Sequence, residues 1–260
     1  MAEARRSLMA AERRARITEF VVQQGSVRVS ELSALFQVSE VTIRNDLDLL
    51  HKQGSLIRDH GGAIAEIHAT AFIDFARRTR ENLAEKQRIG RAAALLVQPD
   101  ETIIMDAGTT VMEMARSLSS DLSLTVVTNG LNVASRMGMS SNAHVILLGG
   151  CFNRETISTL GTETERELDN VRVQRVFLGT HAMDIASGLT DTAIEVAHVK
   201  RRMVEAAREV ILLADSSKWG RIAFAKTIPF SEVDIMITDA GLPDQAQKTL
   251  RSLGVELILV

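Results

Sequence analysis

The chain has one cysteine, Cys151, among its 260 residues. A single cysteine excludes an intramolecular disulfide and is typical of a reducing compartment. No stretch approaches the roughly 20 apolar residues of a membrane-spanning helix, and the charged first residues lack the apolar core of a secretory signal. The net charge of −3 gives no general attraction to nucleic acid. We therefore expect a cytoplasmic protein in which any nucleic-acid contact is confined to a local surface.

The length and composition fit a small domain beside a larger one. A chain of 260 residues with 45% hydrophobic and 24% charged residues can bury a substantial core. The patterns predict a first domain at residues 1–64, a connector at 65–80 and a second domain at 81–260. The connector is neither Gly/Ser-rich nor Pro-rich, so we expect it to be structured and its charge run at 77–81 to be solvated.

The first domain shows the pattern of a winged helix-turn-helix. Apolar residues recur with helical period at 11–24, 31–36 and 40–53, and Ser39 is placed to cap the last of these helices. Two short helices joined by a tight turn form a helix-turn-helix, whose second helix can enter a major groove. Residues 55–64 contain two short β-prone pieces around a polar turn, which predicts a hairpin wing.

Polar residues of the second helix and the wing are the candidates for DNA contact. The predicted DNA-binding residues are Ser39, Thr42, Arg44, Asn45, Arg58 and His60. Residues 1–60 carry nine Lys/Arg against eight Asp/Glu, so the local charge is only +1. A winged helix used for protein contact is therefore the alternative. If DNA is the partner, this charge predicts a homo-oligomer, dimer or tetramer, that gains affinity by joining half-sites.

From residue 102 onward, short apolar runs alternate with helical segments. The runs are 102–105, 124–127, 144–148, 176–178, 210–213, 234–237 and 255–259, and the helices are 109–118, 131–137, 162–169, 192–207 and 244–252. Aliphatic strands alternating with helices predict an α/β fold with a parallel sheet covered on both faces. In such sheets ligands bind beyond the carboxyl ends of the strands.

Polar and glycine residues follow several of these strands. The turn 106–110 opens a helix, so its backbone N–H groups, hydroxyls and helix dipole suit a phosphate, although threonine also occurs there simply as a cap. Lys218 adds a point charge, Asn129 can donate and accept, and Glu195 can take a sugar hydroxyl or amine. The predicted ligand-binding residues are Asp106, Gly108, Thr109, Thr110, Thr128, Asn129, Gly149, Gly150, Asp191, Glu195 and Lys218.

Other chemistry is less well supported by the residue patterns. No pattern pairs Cys151 with a base, so we expect it to be a small buried hydrophobe. The histidines lack metal-ligand spacing, and the sequence predicts no metal and no cofactor. Asp191 and Glu195 are four residues apart and would share a helix face. With Lys218 they could isomerise a sugar phosphate, so a phosphosugar isomerase-like enzyme with a DNA-binding appendage is the alternative.

Two sets of motifs resemble the DeoR family of bacterial transcriptional regulators. Residues 38–47 and 58–63 are similar to the family's DNA-binding signature, with Asn45 where members usually carry arginine. The strand-end turns are similar to its sensor domain, whose fold is related to ribose-5-phosphate isomerase and CoA transferases; they are 106–110, 127–129, 148–150, 177–179, 188–191 and 213–218. Gln174 replaces an aspartate that is usual in the family.

The resemblance covers nearly the whole chain and implies a function. It implies a repressor, not an enzyme, that binds a double-stranded operator of a sugar or amino-sugar catabolic operon and is released by a phosphorylated sugar. Within the family, residues 42–47, 127–134 and 254–260 are most similar to repressors of N-acetylgalactosamine and galactosamine use.

Overall fold

The computed structural model of the protein describes residues 10–24, 26–59, 61–64, 75–140 and 142–260. The chain divides into two compact units, Met1–Arg77 and Arg78–Val260. The boundary between them falls inside the predicted connector. In the part of the chain that the structure describes, no helix is both long enough and apolar enough to cross a membrane.

The first unit is a winged helix-turn-helix. Its helices are α1 (Ala10–Gln24), α2 (Val29–Phe36) and α3 (Glu40–Lys52). Its antiparallel sheet has the order β1-β3-β2, formed by β1 (Ser26–Arg28), β2 (Ile57–Asp59) and β3 (Gly62–Ile64). The apolar faces of the three helices meet in one core, which includes Ile17, Val21, Leu32, Ile43 and Leu47. The predicted helix-turn-helix and hairpin wing are confirmed.

A seven-stranded parallel sheet is the centre of the second unit. From edge to edge its strands are β15 (Glu256–Leu259), β14 (Ile235–Thr238), β12 (Ala207–Leu213), β9 (Val173–Leu178), β4 (Thr102–Met105), β5 (Thr125–Thr128) and β6 (His144–Leu147). Because all neighbours are parallel, their carboxyl ends meet at one edge. We call this the strand-end edge. The predicted α/β parallel-sheet fold is confirmed.

Helices cover both faces of this sheet. Side chains alternate along a strand, so neighbouring residues enter opposite cores. Ile103, Met105 and Phe177 share one core with α4 (Leu83–Ala94), α5 (Thr109–Ser117) and α6 (Leu131–Ser140). Ile104 and Val176 share the other with α7 (Thr162–Asp169), α8 (Ile194–Ala206) and α9 (Asp244–Ser252).

Short antiparallel elements follow the strands and were not predicted. A hairpin comprises β7 (Cys151–Asn153) and β8 (Ser158–Leu160). A small sheet comprises β10 (Ala182–Asp184), β11 (Gly188–Asp191) and β13 (Ala225–Lys226). Short 3-10 turns lie at Ser216–Lys218 and Phe230–Glu232. The hairpin follows β6, the small sheet begins after β9, and the first 3-10 turn follows β12.

Strands β9 and β12 begin before the apolar runs that predicted them. Arg175 of β9 donates to Glu209 of β12 and, at 2.8 Å, to Glu101. Gln174 Oε1 accepts the Thr102 N–H at 2.9 Å. Polar pairs thus extend the strands where no apolar run marks them. Gln174 makes its contact at the amino end of β4, away from the strand-end edge.

Candidate functional sites

Helix α3 presents three of the residues predicted to contact DNA. Ser39 is its N-cap: the hydroxyl oxygen accepts the Thr42 N–H at 3.2 Å, and the Ser39 and Thr42 hydroxyl oxygens lie 2.8 Å apart. The apolar face of α3 is buried in the core, which leaves Arg44 and Asn45 exposed. Burial of one face therefore sets which side chains can reach a groove.

Arg44, on the exposed face of α3, has only a weak surface partner. Arg44 forms an ion pair with Glu40 at 2.7 Å, one turn earlier, but both side chains are about half exposed. Surface pairs of this kind contribute little, so a stronger acceptor can take the guanidinium. Val41, which the sequence analysis did not single out, is 63% exposed. An apolar side chain on such a helix can contact a thymine methyl group.

Arg58 of the wing makes intramolecular contacts. Its Nε pairs with Asp48 of α3 at 3.0 Å, and its Nη1 donates to the Gly62 carbonyl oxygen at 3.0 Å. The side chain is three-quarters buried. Arg58 therefore fastens the wing to α3. His60, the other predicted wing contact, lies outside the described residues.

Two arginines of α1 are also engaged. Arg13 pairs with the buried carboxylate of Asp46 at 2.6 Å, and Arg14 lies 3.3 Å from the same carboxylate. The aspartate of the predicted DNA-binding signature thus joins α1 to α3. This pairing leaves less free positive charge on α1 than its sequence suggests.

At the strand-end edge, Lys200 of α8 is a buried cation between two predicted ligand residues. Its Nζ donates to the Asp191 oxygens at 3.0 and 3.1 Å and to the Gly179 carbonyl at 2.8 Å, and it lies 3.3 Å from Asp106 Oδ2. Burial opposes this charge, but the carboxylates of Asp106 and Asp191 raise the pKa of Lys200 above its ordinary value. Asp106 also accepts the Gly179 N–H at 3.0 Å and the Ala107 N–H at 2.8 Å. Both carboxylates are committed to the fold.

Helix α5 begins beside this network without a side-chain cap. Gly108 is its N-cap, and the Met112 N–H makes a bond to the Gly108 carbonyl at 2.9 Å. The N–H groups of Thr109, Thr110 and Val111 have no acceptor within the helix. With the helix dipole, these N–H groups give the helix start a partial positive charge.

A further positive charge, that of Lys218, lies at the same strand-end edge, in the turn after β12. The Lys218 ammonium has no hydrogen bond or ion pair within the described part of the chain. Partial burial and the positive charge of Lys218 lower the pKa of His181, and Arg78 and Lys200 lower it further against the opposing charge of Asp191. His181 is therefore neutral at neutral pH, in surroundings that favour an anion.

Within the described part of the chain, the buried acceptors at this edge that lack a donor include one oxygen each of Asp215 and Asn129. Asp215 is 1% exposed; its Oδ1 accepts from Ser217 N–H at 3.2 Å and from Asn82, whereas its Oδ2 has no partner. Asn129 Nδ2 donates to the Thr159 carbonyl at 2.9 Å, and its Oδ1 has no partner. An unpaired buried acceptor costs about 1–3 kcal/mol. Such atoms mark places where a hydroxyl, amine or water can supply the missing donor.

Three other predicted ligand residues shape loops. The Thr128 hydroxyl donates to a backbone carbonyl at 2.6 Å and accepts a backbone N–H at 3.0 Å. The Gly149 N–H donates to the Glu167 carboxylate at 2.8 Å. Gly150 has a φ of 131°, and a Cβ there would lie 2.3 Å from Thr164 Oγ1. These contacts give each residue a structural task.

Two expectations about placement are wrong. Asp191 and Glu195 do not share a helix face, because Asp191 is the last residue of β11 and α8 begins at Ile194. Cys151 is exposed because it lies in the β7–β8 hairpin, which the sequence did not predict. Glu195 is exposed in the first turn of α8. Among the residues placed by the structure, no three His, Cys, Asp or Glu side chains are grouped to hold a metal ion.

Comparison with known proteins decides the family. A DeoR-like helix-turn-helix domain matches residues 13–67, and a DeoR C-terminal sensor domain matches residues 81–240. The chain belongs to the DeoR family. It is therefore a transcriptional regulator with a DNA-binding unit and a sensor unit, as the resemblance in the sequence implied.

Individual known proteins match the chain nearly end to end. The chain is 38% identical over 251 residues to a protein of Escherichia coli O157:H7 named "Putative aga operon transcriptional repressor", covering 96% of this chain and 93% of that protein. It is 34% identical over 254 residues to the transcriptional repressor GlcR of Bacillus subtilis strain 168, covering 95% of each. The solved sorbitol operon regulator SorC of Klebsiella pneumoniae is 11% identical, with coverage of 91% and 97% and a TM-score of 0.41.

Proposed function

We propose that this DeoR-family regulator represses a sugar or amino-sugar catabolic operon and leaves its operator when a phosphorylated sugar binds at the strand-end edge. One observation carries the proposal. The uncapped start of α5 lies at the same edge as Lys218, whose ammonium has no partner in the described residues. Backbone N–H groups, a helix dipole and a lysine are the means by which proteins hold phosphate. The names of the two repressor relatives support the operon class.

The rest of the edge supplies contacts for a sugar. Asp215 Oδ2 and Asn129 Oδ1 are acceptors that lack donors among the described residues, so each suits a hydroxyl or an amine once the edge rearranges to expose it. Glu195 is exposed at the start of α8 and can accept another hydroxyl or amine. Asp106 and Asp191 act indirectly, because they hold Lys200 and the backbone of the neighbouring turns.

The response follows from linkage between two binding equilibria. If the sugar phosphate binds the conformation with low operator affinity more tightly, it shifts the population toward that conformation. On the DNA side, Thr42, Arg44, Asn45 and Val41 face the groove, with Ser39 near the phosphate backbone. The low free charge of the first unit requires a homo-oligomer that joins two half-sites. Access to operator DNA places this action in the cytoplasm.

A thermal-shift screen tests the sensor function. A bound ligand stabilises a protein by mass action, so a phosphosugar effector raises Tm in proportion to log concentration once its Kd is exceeded. The panel contains galactosamine 6-phosphate and tagatose phosphates, each beside its unphosphorylated sugar. We expect a Tm increase from at least one phosphosugar and none from its parent. Conversion of a panel member to an isomer would instead favour the isomerase-like enzyme.

A further inference from the structure

Residues 78–86 lead from the end of the first unit into α4. Arg78 follows Arg77, the last residue of the first unit, and Leu83 begins α4. The segment is fixed to the second unit by the side chains of Arg78, at its first residue, and Asn82, directly before α4. Its two anchors lie at different places along the strand-end edge.

The first anchor is Asn82. Its Nδ2 donates to Asp215 Oδ1 and to Ser217 Oγ, both at 3.0 Å. Asn82 has a φ of 50°, a left-handed conformation that asparagine tolerates better than most residues. Its two acceptors lie beyond the carboxyl end of β12, in the turn that also carries Lys218.

The second anchor is Arg78. Its guanidinium donates to the backbone carbonyl of Glu155, in the turn of the β7–β8 hairpin. The hairpin is fixed at the carboxyl end of β5, because the Thr159 N–H donates to the Asn129 carbonyl at 2.9 Å. Arg78 therefore connects the segment to the edge near β5.

A buried lysine of α4 binds the backbone of the segment back onto the helix. Lys86 is 2% exposed, and its Nζ donates to the backbone carbonyls of Arg78 and, at 2.7 Å, of Glu81. Burial lowers the pKa of Lys86, the charge of Asp215 opposes this, and Lys218 lowers it further. The segment is thus a compact piece close to the Lys218 turn.

The strand order shows what lies between the anchors. From β12 to β5 the sheet passes through β9 and β4, three spacings of about 4.8 Å, or about 14 Å in all. The ends of β9 and β4 carry Gly179, His181 and the turn 106–110. Arg78 and Lys218 both act on the pKa of His181, which follows β9, so charged groups from both anchored regions lie near the middle of the edge.

We propose that residues 78–86 form a strap across the middle of the strand-end edge, so that a ligand binding there contacts the segment that continues into the DNA-binding unit. The proposal rests on the proposed function for the identity of the ligand. The strap couples ligand binding directly to the connector. A ligand that binds Lys218 displaces the 215–218 turn, and this movement breaks the hydrogen bonds of Asn82 to that turn. Release of Asp215 from Asn82 also frees acceptors for the ligand.

Chemical labelling without ligand tests the strap. The full chain is treated with N-hydroxysuccinimide acetate, and acetylation rates of individual lysines are followed by mass spectrometry. Asn82→Gly removes the anchoring amide and keeps a residue that accepts positive φ. Arg78→Ala removes the opposite anchor. We expect each variant to raise the labelling rate of Lys218 roughly fivefold through more frequent local opening.

Controls separate strap release from general loosening. Asp100→Gly is the matched variant, because Asp100 has a φ of 63° and its side chain is exposed. Lys248, exposed on α9, is the internal reference and its rate stays constant in every variant. Unchanged Lys218 labelling in Arg78→Ala would overturn the strap, since the two anchors would then be independent. Because no ligand is present, this failure leaves the sensor function intact, whereas a failed phosphosugar screen leaves the strap intact.

Discussion

The two units of the molecule use their positively charged side chains in the same two ways. In the first unit, Arg58 is partly buried and bound to Asp48, whereas Arg44 is exposed with one surface partner. In the second unit, Lys200 is buried between two carboxylates, whereas Lys218 has no partner among the described residues. Each unit thus contains at least one cation that stabilises its fold and at least one that is available to an anion.

Positively charged residues that look alike in the sequence therefore have different roles: some stabilise the fold, and others are available to bind a ligand. A buried cation with several acceptors stabilises the fold, and breaking its ion pairs costs several kcal/mol of folding free energy. A cation with a weak surface partner can exchange it for a phosphate at small cost. Substitution of Arg58 or Lys200 therefore lowers the free energy of unfolding. Substitution of Arg44 or Lys218 weakens the binding of DNA or ligand.

The largest effect is expected from Lys200→Met. Loss of the ammonium leaves the Asp106 and Asp191 carboxylates buried without a counter-charge, which costs about 3–5 kcal/mol. Urea unfolding measures the free energy of unfolding. Lys218→Met is the matched control and changes it by less than about 0.5 kcal/mol. Equal losses in the two variants would remove the distinction between these lysines.

Lys218→Met should act on ligand binding. Removal of a charged hydrogen-bond donor to phosphate costs about 1.5–3 kcal/mol, so the affinity for the stabilising phosphosugar falls tenfold or more. Calorimetric titration measures the Kd. Binding of the unphosphorylated sugar is the control, since its Kd, where measurable, does not change. An unaltered phosphosugar Kd would place the phosphate elsewhere.

Arg44→Ala should act on DNA binding alone. Loss of a guanidinium contact to a base costs about 1–3 kcal/mol in operator affinity, with Tm and phosphosugar binding preserved. Gel-shift titration measures the affinity for the operator. Arg58→Ala is the companion variant and lowers the unfolding free energy as well, because it detaches the wing from α3. A lower Tm in Arg44→Ala would contradict the assignment.

The smallest effect concerns pH. Partial burial and the charge of Lys218 lower the pKa of His181 in the free protein, and a bound phosphate would raise it. The complex then binds more protons than the free protein, so affinity rises as pH falls from 8 toward 6. Phosphate itself titrates near pH 6, so the quantity to measure is the Kd ratio of His181→Asn to wild type. The ratio should increase severalfold at low pH; a constant ratio would exclude His181.

The sequence predicts the elements and much of the edge but not how side chains are paired. Aliphatic runs mark β4 and β5 because both faces of a central strand are buried. Lys200 was missed because its partners, Asp106 and Asp191, are distant in sequence. A lysine on the otherwise apolar face of α8, after Val196 and before Met203, was the available signal.

Short elements escaped prediction for a different reason. The β7–β8 hairpin and the β10–β11–β13 sheet have two to four residues per strand, too few for a periodic pattern. Asn82 was missed because it directly follows a charge run, residues 77–81, that suggests only solvation. Its partners Asp215 and Ser217 are more than 130 positions away.

Operator release tests the central claim most directly. Wild type and the double variant Thr109→Ala, Lys218→Ala are bound to the operator and titrated with the phosphosugar that stabilises the wild type. We predict that the wild type dissociates from the operator, whereas the double variant binds it normally and stays bound. Release of the double variant at the wild-type concentration would contradict the claim that the strand-end edge is the sensor.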